Sequence, residues 1–280
     1  PATLYVVATP LGNLEDITMR GVRILQEVDW IACEDTRRTG RLLELLGLPR
    51  KKLRSVHDHN EADRGPQVIR SLESGEDIAL VSDAGTPTIS DPGFRLVSQV
   101  IAAGLPVVPI PGVSAAITAL SVAGLPTDEF RFVGFPPAKA GALRRQLDAL
   151  SGAHETLVFY IGPHHLTKFL EQAADAFGRD RPAVIARELT KKFEEFRRGT
   201  LGELHDEPGT IRGEIVFLIG GAPPEAGLSG ESLKEVVQRC LEEGYTTSKA
   251  AREAARRTGA SRDEAYAFAV SIRSATPREE

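Results

Sequence analysis

The sequence has few of the residues that build disulfide frameworks, zinc sites or membrane spans. It contains two cysteines in 280 residues, Cys33 and Cys240, and they form no C-x-x-C or Cys/His cluster. We therefore predict neither a disulfide framework nor a metal site. The longest apolar runs, such as ETLVFYIG and GEIVFLIGG, are far shorter than the roughly 20 residues that a membrane-spanning helix needs.

The N-terminal stretch PATLYVVATP also lacks a basic segment followed by an apolar core. No secretory signal is therefore predicted, and Pro1 indicates a removed initiator methionine. We expect a cytoplasmic protein.

Short β-rich runs alternate with amphipathic segments along most of the chain. With 41% hydrophobic and 26% charged residues, the chain is long enough for two domains with separate cores. The alternation is typical of βαβ units and predicts an α/β fold with a largely parallel sheet. Because the pattern restarts after Pro126, we expect two α/β domains, at 1–115 and 116–225. A Gly/Pro-rich linker and a helical tail follow at 226–280.

The tail predicts three short helices whose spacing resembles a helix-turn-helix. Thr246 or Thr247 is expected to cap the second helix, Gly259 to end it and Ser261 to cap the third. Positive and negative charges balance over 231–280, so strong DNA binding is not predicted. Docking to a partner and docking to the main body both stay open.

The stretch VSDAGTPTISDPG, residues 81–93, follows an apolar strand. In open α/β sheets ligands bind at the carboxyl ends of the strands, and this loop starts at such an end. Asp83 and Thr86 offer polar groups there, and Gly85 permits a positive φ or the close approach of a ligand. A tight strand-to-helix turn with Asp91 as the helix cap explains the same residues equally well.

Two further strand ends carry Pro- and Gly-containing turns, in ATPLGN and IPGVSA. Neither is a GxGxxG fingerprint or a Walker loop, so phosphate cradling is not predicted. The small residues at the helix start, Ser114 and Ala115, expose backbone amides that can receive a carboxylate or a ribose hydroxyl. Three such turns predict one shared cleft.

One basic region stands out in a chain of net charge −5. Between Thr36 and Arg70 nine Arg or Lys face four Asp or Glu, a local balance of +5. Binding to a polyanion explains this region, and so does a solvated helix face. Two of the three residues Arg37, Arg38 and Arg41 share a helical face. They follow the second predicted strand, and we expect them beside the loops of the cleft but separate from them.

The motifs ATPLGN, SDAGTP, PGVSA and FYIGPHH, in this order and spacing, resemble the tetrapyrrole methylase superfamily. Within it the chain is most similar to the bacterial branch that methylates 16S ribosomal RNA, through TPLGNLEDIT, CEDTR, HDHNE, SDAGTPTISDPG, ARELTK and the helical tail. The resemblance covers nearly the whole chain. The first loop, residues 9–13, reads TPLGN where the corrin and sirohaem members resemble GAGPGD, which disfavours a tetrapyrrole substrate.

This resemblance implies a class III methyltransferase that binds S-adenosylmethionine in a cleft between two α/β domains. It implies methylation of the 2′-oxygen of a cytidine in 16S ribosomal RNA, in the decoding region of the small subunit, by a homodimer. The cofactor contacts that it implies are Pro10, Leu11, Asp83, Gly85, Thr86, Ile89, Ser114, Ala115, Tyr160, Ile161, Glu188 and Leu189.

Basic residues and the HDHN stretch are the expected contacts to RNA. They are Arg37, Arg38, Arg41, Lys51, Lys52, His57, His59, Arg187, Lys191 and Lys192. The HDHN stretch could also bind metal, although a hydrogen-bonded loop is the more frequent outcome. A ribose 2′-hydroxyl needs an acceptor for its proton, and Asp83, Glu188 and His57 are unranked candidates.

Two other functions stay open. A methyltransferase acting on a corrinoid or sirohaem precursor would use the same cleft. A non-enzymatic nucleic-acid-binding protein would use the basic clusters and the terminal helices, and it would bind no S-adenosylmethionine.

Overall fold

A five-stranded parallel sheet forms the first half of the body. The computed structural model describes residues 2–57, 60–209, 212–223 and 232–275. The strands of this sheet are β1 (Leu4–Val7), β2 (Trp30–Cys33), β3 (Lys52–Ser55), β4 (Ile78–Val81) and β5 (Val107–Ile110). They lie in the order β3-β2-β4-β1-β5, and every pairing is parallel. Strands β2 and β4 are fully buried, as the apolar strands of parallel sheets are.

Helices cover both faces of this sheet. They are α1 (Met19–Glu27), α2 (Thr36–Leu45), α3 (Glu61–Glu73) and α4 (Phe94–Ala102). On one face Leu43 of α2 shares a core with Ile31 of β2. On the other face Leu96 of α4 shares a core with Trp30, the residue before Ile31. Since side chains alternate along a strand, α1 and α2 lie on one face and α3 and α4 on the other.

The second sheet is mixed. Its strands are β6 (Phe130–Gly134), β7 (Thr156–Ile161), β8 (Pro182–Arg187), β9 (Glu195–Thr200) and β10 (Ile215–Ile219), in the order β6-β7-β10-β8-β9. Only the β6–β7 pair is parallel, and the other three pairs are antiparallel. The expectation of largely parallel pairing therefore holds for the first sheet and is wrong for the second, in which β8 and β9 form a hairpin.

One helix, α5 (Ala115–Ala123), follows the first sheet in the chain but packs on the second. Its Ala119 shares a core with Val184 of β8 and Val216 of β10. The opposite face of the second sheet is covered by α6 (Ala140–Leu150), α7 (Leu166–Phe177) and α8 (Leu201–Asp206). The chain thus passes from one sheet to the other between β5 and α5.

Three helices form the tail around a core of their own: α9 (Leu233–Glu242), α10 (Thr247–Thr258) and α11 (Arg262–Ala275). Thr246 caps α10, Gly259 ends it in the left-handed conformation and the Ser261 hydroxyl accepts the Glu264 amide at the start of α11. These predictions and the α/β class with a helical tail are confirmed. The predicted linker from residue 226 to residue 231 lies outside the described residues. Among the described helices none is long and apolar enough to cross a membrane.

Candidate active site between the two sheets

Three loops meet at the carboxyl edge of the first sheet. The loop after β1 pairs with the loop after β4, because the Thr9 amide donates to the Gly85 carbonyl at 2.9 Å and the Gly85 amide donates back at 2.8 Å. The loop after β5 joins them through the Thr86 hydroxyl, which donates to the Val113 carbonyl at 2.9 Å. Gly85 has φ 80°, and a Cβ there would lie 3.3 Å from a methyl carbon of Leu11. The three predicted turns therefore do share one cleft.

A cavity of about 340 Å³ lies between these loops and the second sheet. Of the residues that the resemblance assigned to the cofactor, those that line it are Leu11, Asp83, Gly85, Thr86, Ile89, Ser114, Ala115, Tyr160, Ile161 and Leu189. Pro10 and Glu188 do not line it. The walls from the second sheet come from β7 and the turn after it, from β10, from Phe135 after β6 and from the segment after β8.

An ion pair joins the loop after β4 to the start of α2. Asp83 Oδ2 lies 3.2 Å from Arg38 Nη1, and Asp83 Oδ1 accepts the Asp35 amide at 3.2 Å. Asp35 in turn caps α2 by accepting the Arg37 amide at 2.7 Å. Arg38 lines the same cavity as Asp83. The expected separation between the arginines of α2 and the loops of the cleft is therefore wrong for Arg38.

The cavity carries an excess of negative charge that the sequence did not reveal. Four carboxylates line it, Glu34, Asp83, Asp91 and Glu214, against one cation, Arg38. Such a lining attracts a cationic ligand and repels phosphate. Burial raises the pKa of Asp91 above its ordinary value, and the charge of Asp83 adds to this, while a hydrogen bond with Ser82 acts in the opposite direction.

Asp91 does not cap the helix that follows it. The cap residue of α4 is Gly93, with φ 121° and no side-chain hydrogen bond. The first turn of α4 is instead capped from α3, where the buried Glu61 carboxylate accepts the Leu96 amide at 2.8 Å. The carboxyl of Asp91 is thus left to line the cavity.

Tyr160 connects the second sheet to the start of α5. Its hydroxyl accepts the Ala116 amide at 3.2 Å, and its ring packs edge-on against Phe132 and Phe135 at centroid distances of 5.0 and 5.5 Å. Burial raises the pKa of the phenol. Ser114 precedes α5 without capping it, and it lines the cavity beside Ala115, with its side chain hydrogen-bonded to Tyr160.

Backbone strain marks both sides of the cavity. Thr88 and Ser90 in the loop after β4 have φ of 73° and 62°, and Glu188 and Thr190 after β8 have φ of 51° and 66°. Residues other than glycine adopt this region at a cost of about 1 to 3 kcal/mol, and such residues cluster at functional sites.

Glu188 is held in place rather than aimed at the cavity. Its carboxylate accepts the Glu214 amide at 2.9 Å and the Lys191 ammonium at 2.9 Å. The amide of Glu214, and then Lys191, lower the pKa of this carboxyl. Lys191 also pairs with the Glu214 carboxylate at 3.0 Å, and its stem lies where a Cβ on Gly12 would stand. The segment after β8 therefore contacts the first loop across the mouth of the cleft.

The other basic residues predicted to contact RNA fall in different places. Lys51 and Lys52 lie at the amino end of β3, the opposite edge of the sheet from the cavity, and the Lys51 ammonium donates to the Val28 carbonyl at 2.7 Å. Their contact with RNA stays a prediction. Arg187 pairs with Glu195 at 2.9 Å and is 12% exposed, so it is committed to the β8–β9 hairpin.

Arg37, Arg41 and Lys192 remain at the surface, where Arg41 pairs with Glu44 at 2.7 Å.

His57 lies at the carboxyl end of β3, two strands from β4 or roughly 10 Å along the sheet. Its Nε2 is 3.0 Å from Asn60 Nδ2, and its amide donates to Asn60 Oδ1 at 2.9 Å. It does not line the cavity. His59 lies outside the described residues, and the part of the chain that is described holds no group of three His, Cys, Asp or Glu side chains able to bind a metal.

The chain is similar to known methyltransferases in sequence. A model of the tetrapyrrole (corrin/porphyrin) methylases matches residues 3–205. Ribosomal RNA small subunit methyltransferase I of Pseudomonas aeruginosa is 48% identical over 275 residues, which cover 96% of each chain. The protein of the same name from Mesorhizobium japonicum is 44% identical over 266 residues, covering 94% of this chain and 90% of that one.

Solved structures share the fold at lower identity. The methyltransferase CobJ superposes with a TM-score of 0.61 at 21% identity, covering 80% of this chain and 95% of its own. Uroporphyrin-III C-methyltransferase from Thermus thermophilus superposes with a TM-score of 0.57 at 18% identity, covering 78% and 97%.

Proposed function

The chain belongs to the tetrapyrrole methylase family, and we propose that it transfers a methyl group from S-adenosylmethionine to a cytidine 2′-oxygen in small-subunit ribosomal RNA. Relatives that match nearly the full chain at more than 40% identity, all named ribosomal RNA small subunit methyltransferase I, support a methyltransferase acting on this RNA. The choice of a cytidine 2′-oxygen rests on the motifs TPLGNLEDIT, CEDTR and ARELTK, which resemble that branch of the family.

The negative cavity carries the proposal. S-adenosylmethionine bears a sulfonium and an ammonium cation against one carboxylate, so a lining with three more carboxylates than cations suits it. Leu11, Ile89 and Leu189 would form apolar walls around the adenosine, and Ser114 and Ala115 would offer a hydroxyl and a helix-start amide. When bound, the cofactor supplies an electrophilic methyl group on its sulfonium.

Asp91 is the residue that we assign as proton acceptor for the ribose hydroxyl. Both oxygens of Asp83 are engaged, by Arg38 and by the Asp35 amide, and Glu188 is held by Lys191 outside the cavity lining. Asp91 lines the cavity, and its raised pKa makes it a stronger base than an ordinary carboxylate.

A homodimer is part of the proposal. The described residues expose apolar side chains on three elements that follow one another in the chain, namely Phe94 and Ile101 on α4, Val108 on the edge strand β5, and Ile117 and Val122 on α5. Exposed apolar surface of this kind is typical of protein interfaces. Pro109 in the edge strand opposes addition of a strand, so side-chain packing is the expected contact.

The proposed function is tested by offering the protein different methyl acceptors in separate reactions. Purified protein is incubated with S-adenosylmethionine carrying a labelled methyl group and, separately, with small ribosomal subunits, protein-free 16S RNA or uroporphyrinogen. We expect label in RNA. Label in the porphyrinogen alone would favour the tetrapyrrole reaction, and the absence of any heat on titration with S-adenosylmethionine would favour a non-enzymatic binding protein.

A further inference from the structure

An open groove lies between the edge strand β3 and helix α3, away from the cavity. It is lined by six residues: Arg54, Arg64, Gln67, Arg70, Ser71 and Ser74. All six are polar and none is acidic, so the lining carries three positive charges. We call it the arginine groove.

Local structure holds these side chains on one surface. Arg64, Gln67, Ser71 and Ser74 recur at intervals of three or four residues, which places them along one face of α3. The Arg64 guanidinium donates to the Gln67 side-chain oxygen at 2.9 Å. Across the groove, the Arg54 guanidinium stacks 4.4 Å from the ring centre of Trp30, so it is positioned before any ligand arrives.

The described residues leave most of the positive charge of the groove unpaired. Among the described residues neither Arg64 nor Arg70 forms an ion pair, whereas Arg41, Arg144 and Arg187 each do. One carboxylate, that of Glu76, interacts with the lining: a hydrogen bond from Ser71 lowers its pKa, and Trp30, Lys52 and Arg54 contribute in the same direction. One carboxylate against these cations leaves the groove positive.

The groove starts at the same edge of the sheet as the cleft. Helix α3 begins directly after the loop at the carboxyl end of β3, where the Glu61 amide donates to the His57 carbonyl at 2.9 Å. Arg64 lies in the first turn or so of the helix, and Arg70 is six residues later, roughly 9 Å farther along the axis. The two arginines of α3 therefore run from the cleft edge back towards the amino end of β3, where Lys52 lies.

We infer that the arginine groove binds the phosphate backbone of the RNA strand that flanks the nucleotide in the cleft. The inference rests on the proposed function, because it names where the same substrate is held. The negative cavity repels phosphates and suits the cofactor, so the flanking strand needs a separate positive surface. Three arginine forks with two serine hydroxyls match phosphate oxygens, and such contacts position a strand without reading its sequence.

The test is the variant Arg64→Ala/Arg70→Ala with small ribosomal subunits and with protein-free 16S RNA. Two lost phosphate contacts should lower the slope of log affinity against log salt by about 1.4 to 1.8 and weaken binding about tenfold or more at low salt. KM for RNA should rise by a similar factor, with kcat within about twofold and the heat of S-adenosylmethionine binding unchanged. The pair Arg64→Lys/Arg70→Lys should retain most of the salt slope and lose part of the affinity.

Arg144→Ala/Arg145→Ala on α6 is the matched control, since it also removes two arginines but on the face of the second sheet away from α5. If the alanine pair in the groove unfolds, Arg64→Gln/Arg70→Gln keeps the stems and carries the same expectation. Wild-type affinity and salt slope in the groove variant would overturn the inference. So would loss of inorganic phosphate binding with RNA affinity intact, which would indicate a small-anion site. If the wild-type protein methylates no RNA at all, the proposed function fails first.

Discussion

Arg38 and Asp83 form an ion pair of 3.2 Å that joins the start of α2 to the loop after β4 inside the cavity. Arg38 is 68% exposed and Asp83 21%, so the pair itself contributes little to stability. Its importance lies in the charge that it sets beside the ligand. Removing Asp83 makes the cavity less negative, whereas removing Arg38 makes it more negative.

Asp83→Ala should abolish methylation and leave a folded protein, because the residue lies on a loop and not in a core. A variant that still methylates would show that Asp83 is not needed for the reaction.

Arg38→Ala should raise the ratio of affinities for S-adenosylmethionine over S-adenosylhomocysteine, since only the former bears the sulfonium cation and the cavity becomes more negative. Calorimetry with both ligands measures this ratio. Arg37→Ala, one residue away and outside the cavity, is the control and should leave the ratio unchanged.

Asp91→Asn keeps the shape of the side chain and removes its basicity. If Asp91 accepts the proton, kcat should fall by about 100-fold to 10,000-fold. In the wild-type enzyme the working form is the carboxylate, so activity should be lost as pH falls through a pKa higher than that of an ordinary aspartate. The variant should lose this acid limb while it binds S-adenosylmethionine within a few-fold of the wild type. An unchanged pH profile of kcat would assign the proton to another group.

The buried thiol of Cys33 should make the free energy of unfolding depend on pH in the alkaline range. Burial raises the pKa of its thiol from 9.0 to about 11. Between these values the unfolded chain loses the thiol proton and the folded chain keeps it, so the free energy of unfolding should fall as pH rises. The two-unit shift corresponds to a loss of about 2 to 3 kcal/mol by pH 11. Urea titrations of the wild type and of Cys33→Ala at pH 8 and pH 10.5 separate this effect from that of other groups. An equal loss of unfolding free energy between the two pH values in both proteins would contradict it.

Ile101→Glu should convert a dimer into a monomer. The side chain is 59% exposed on α4, among the apolar residues proposed for the interface, and a charge buried in an interface without a partner is costly. Light scattering of the wild type should give twice the 30.2 kDa mass of the chain. Leu45→Glu changes a comparably exposed side chain, 50%, on α2 and should leave the dimer intact. A wild-type monomer at working concentration would end the proposal.

Strands with strong apolar runs were predictable from the sequence, and two polar strands were not. The runs LYVV, IALV and TLVFYI became β1, β4 and β7. Strand β3 reads KLRS and β9 reads EFRRGT, and both lie at sheet edges where charged side chains reach solvent. A prediction based on hydrophobic runs misses such strands. Because it misses β9, it also misses the antiparallel hairpin that β9 forms with β8.

Some residues of the site were likewise predictable from the sequence and others were not. Asp83, Gly85 and Thr86 follow a recognisable strand end, so their place in a cleft was predictable. Glu214 reaches the cavity only because β10 pairs antiparallel with β8, with Ile215 opposite Arg187, and no local pattern encodes that pairing. The position of Lys51 and Lys52 at the amino end of β3 was not predictable, because the polar strand KLRS does not stand out in the sequence.

The most direct measurement of the central claim is mass spectrometry of nucleosides from 16S ribosomal RNA. The RNA is taken from cells that lack this protein and from the same cells supplied with the wild type or with Asp83→Ala. We predict that 2′-O-methylcytidine is lost without the protein, returns with the wild type and does not return with Asp83→Ala. An unchanged content of 2′-O-methylcytidine in the cells that lack the protein would contradict the account.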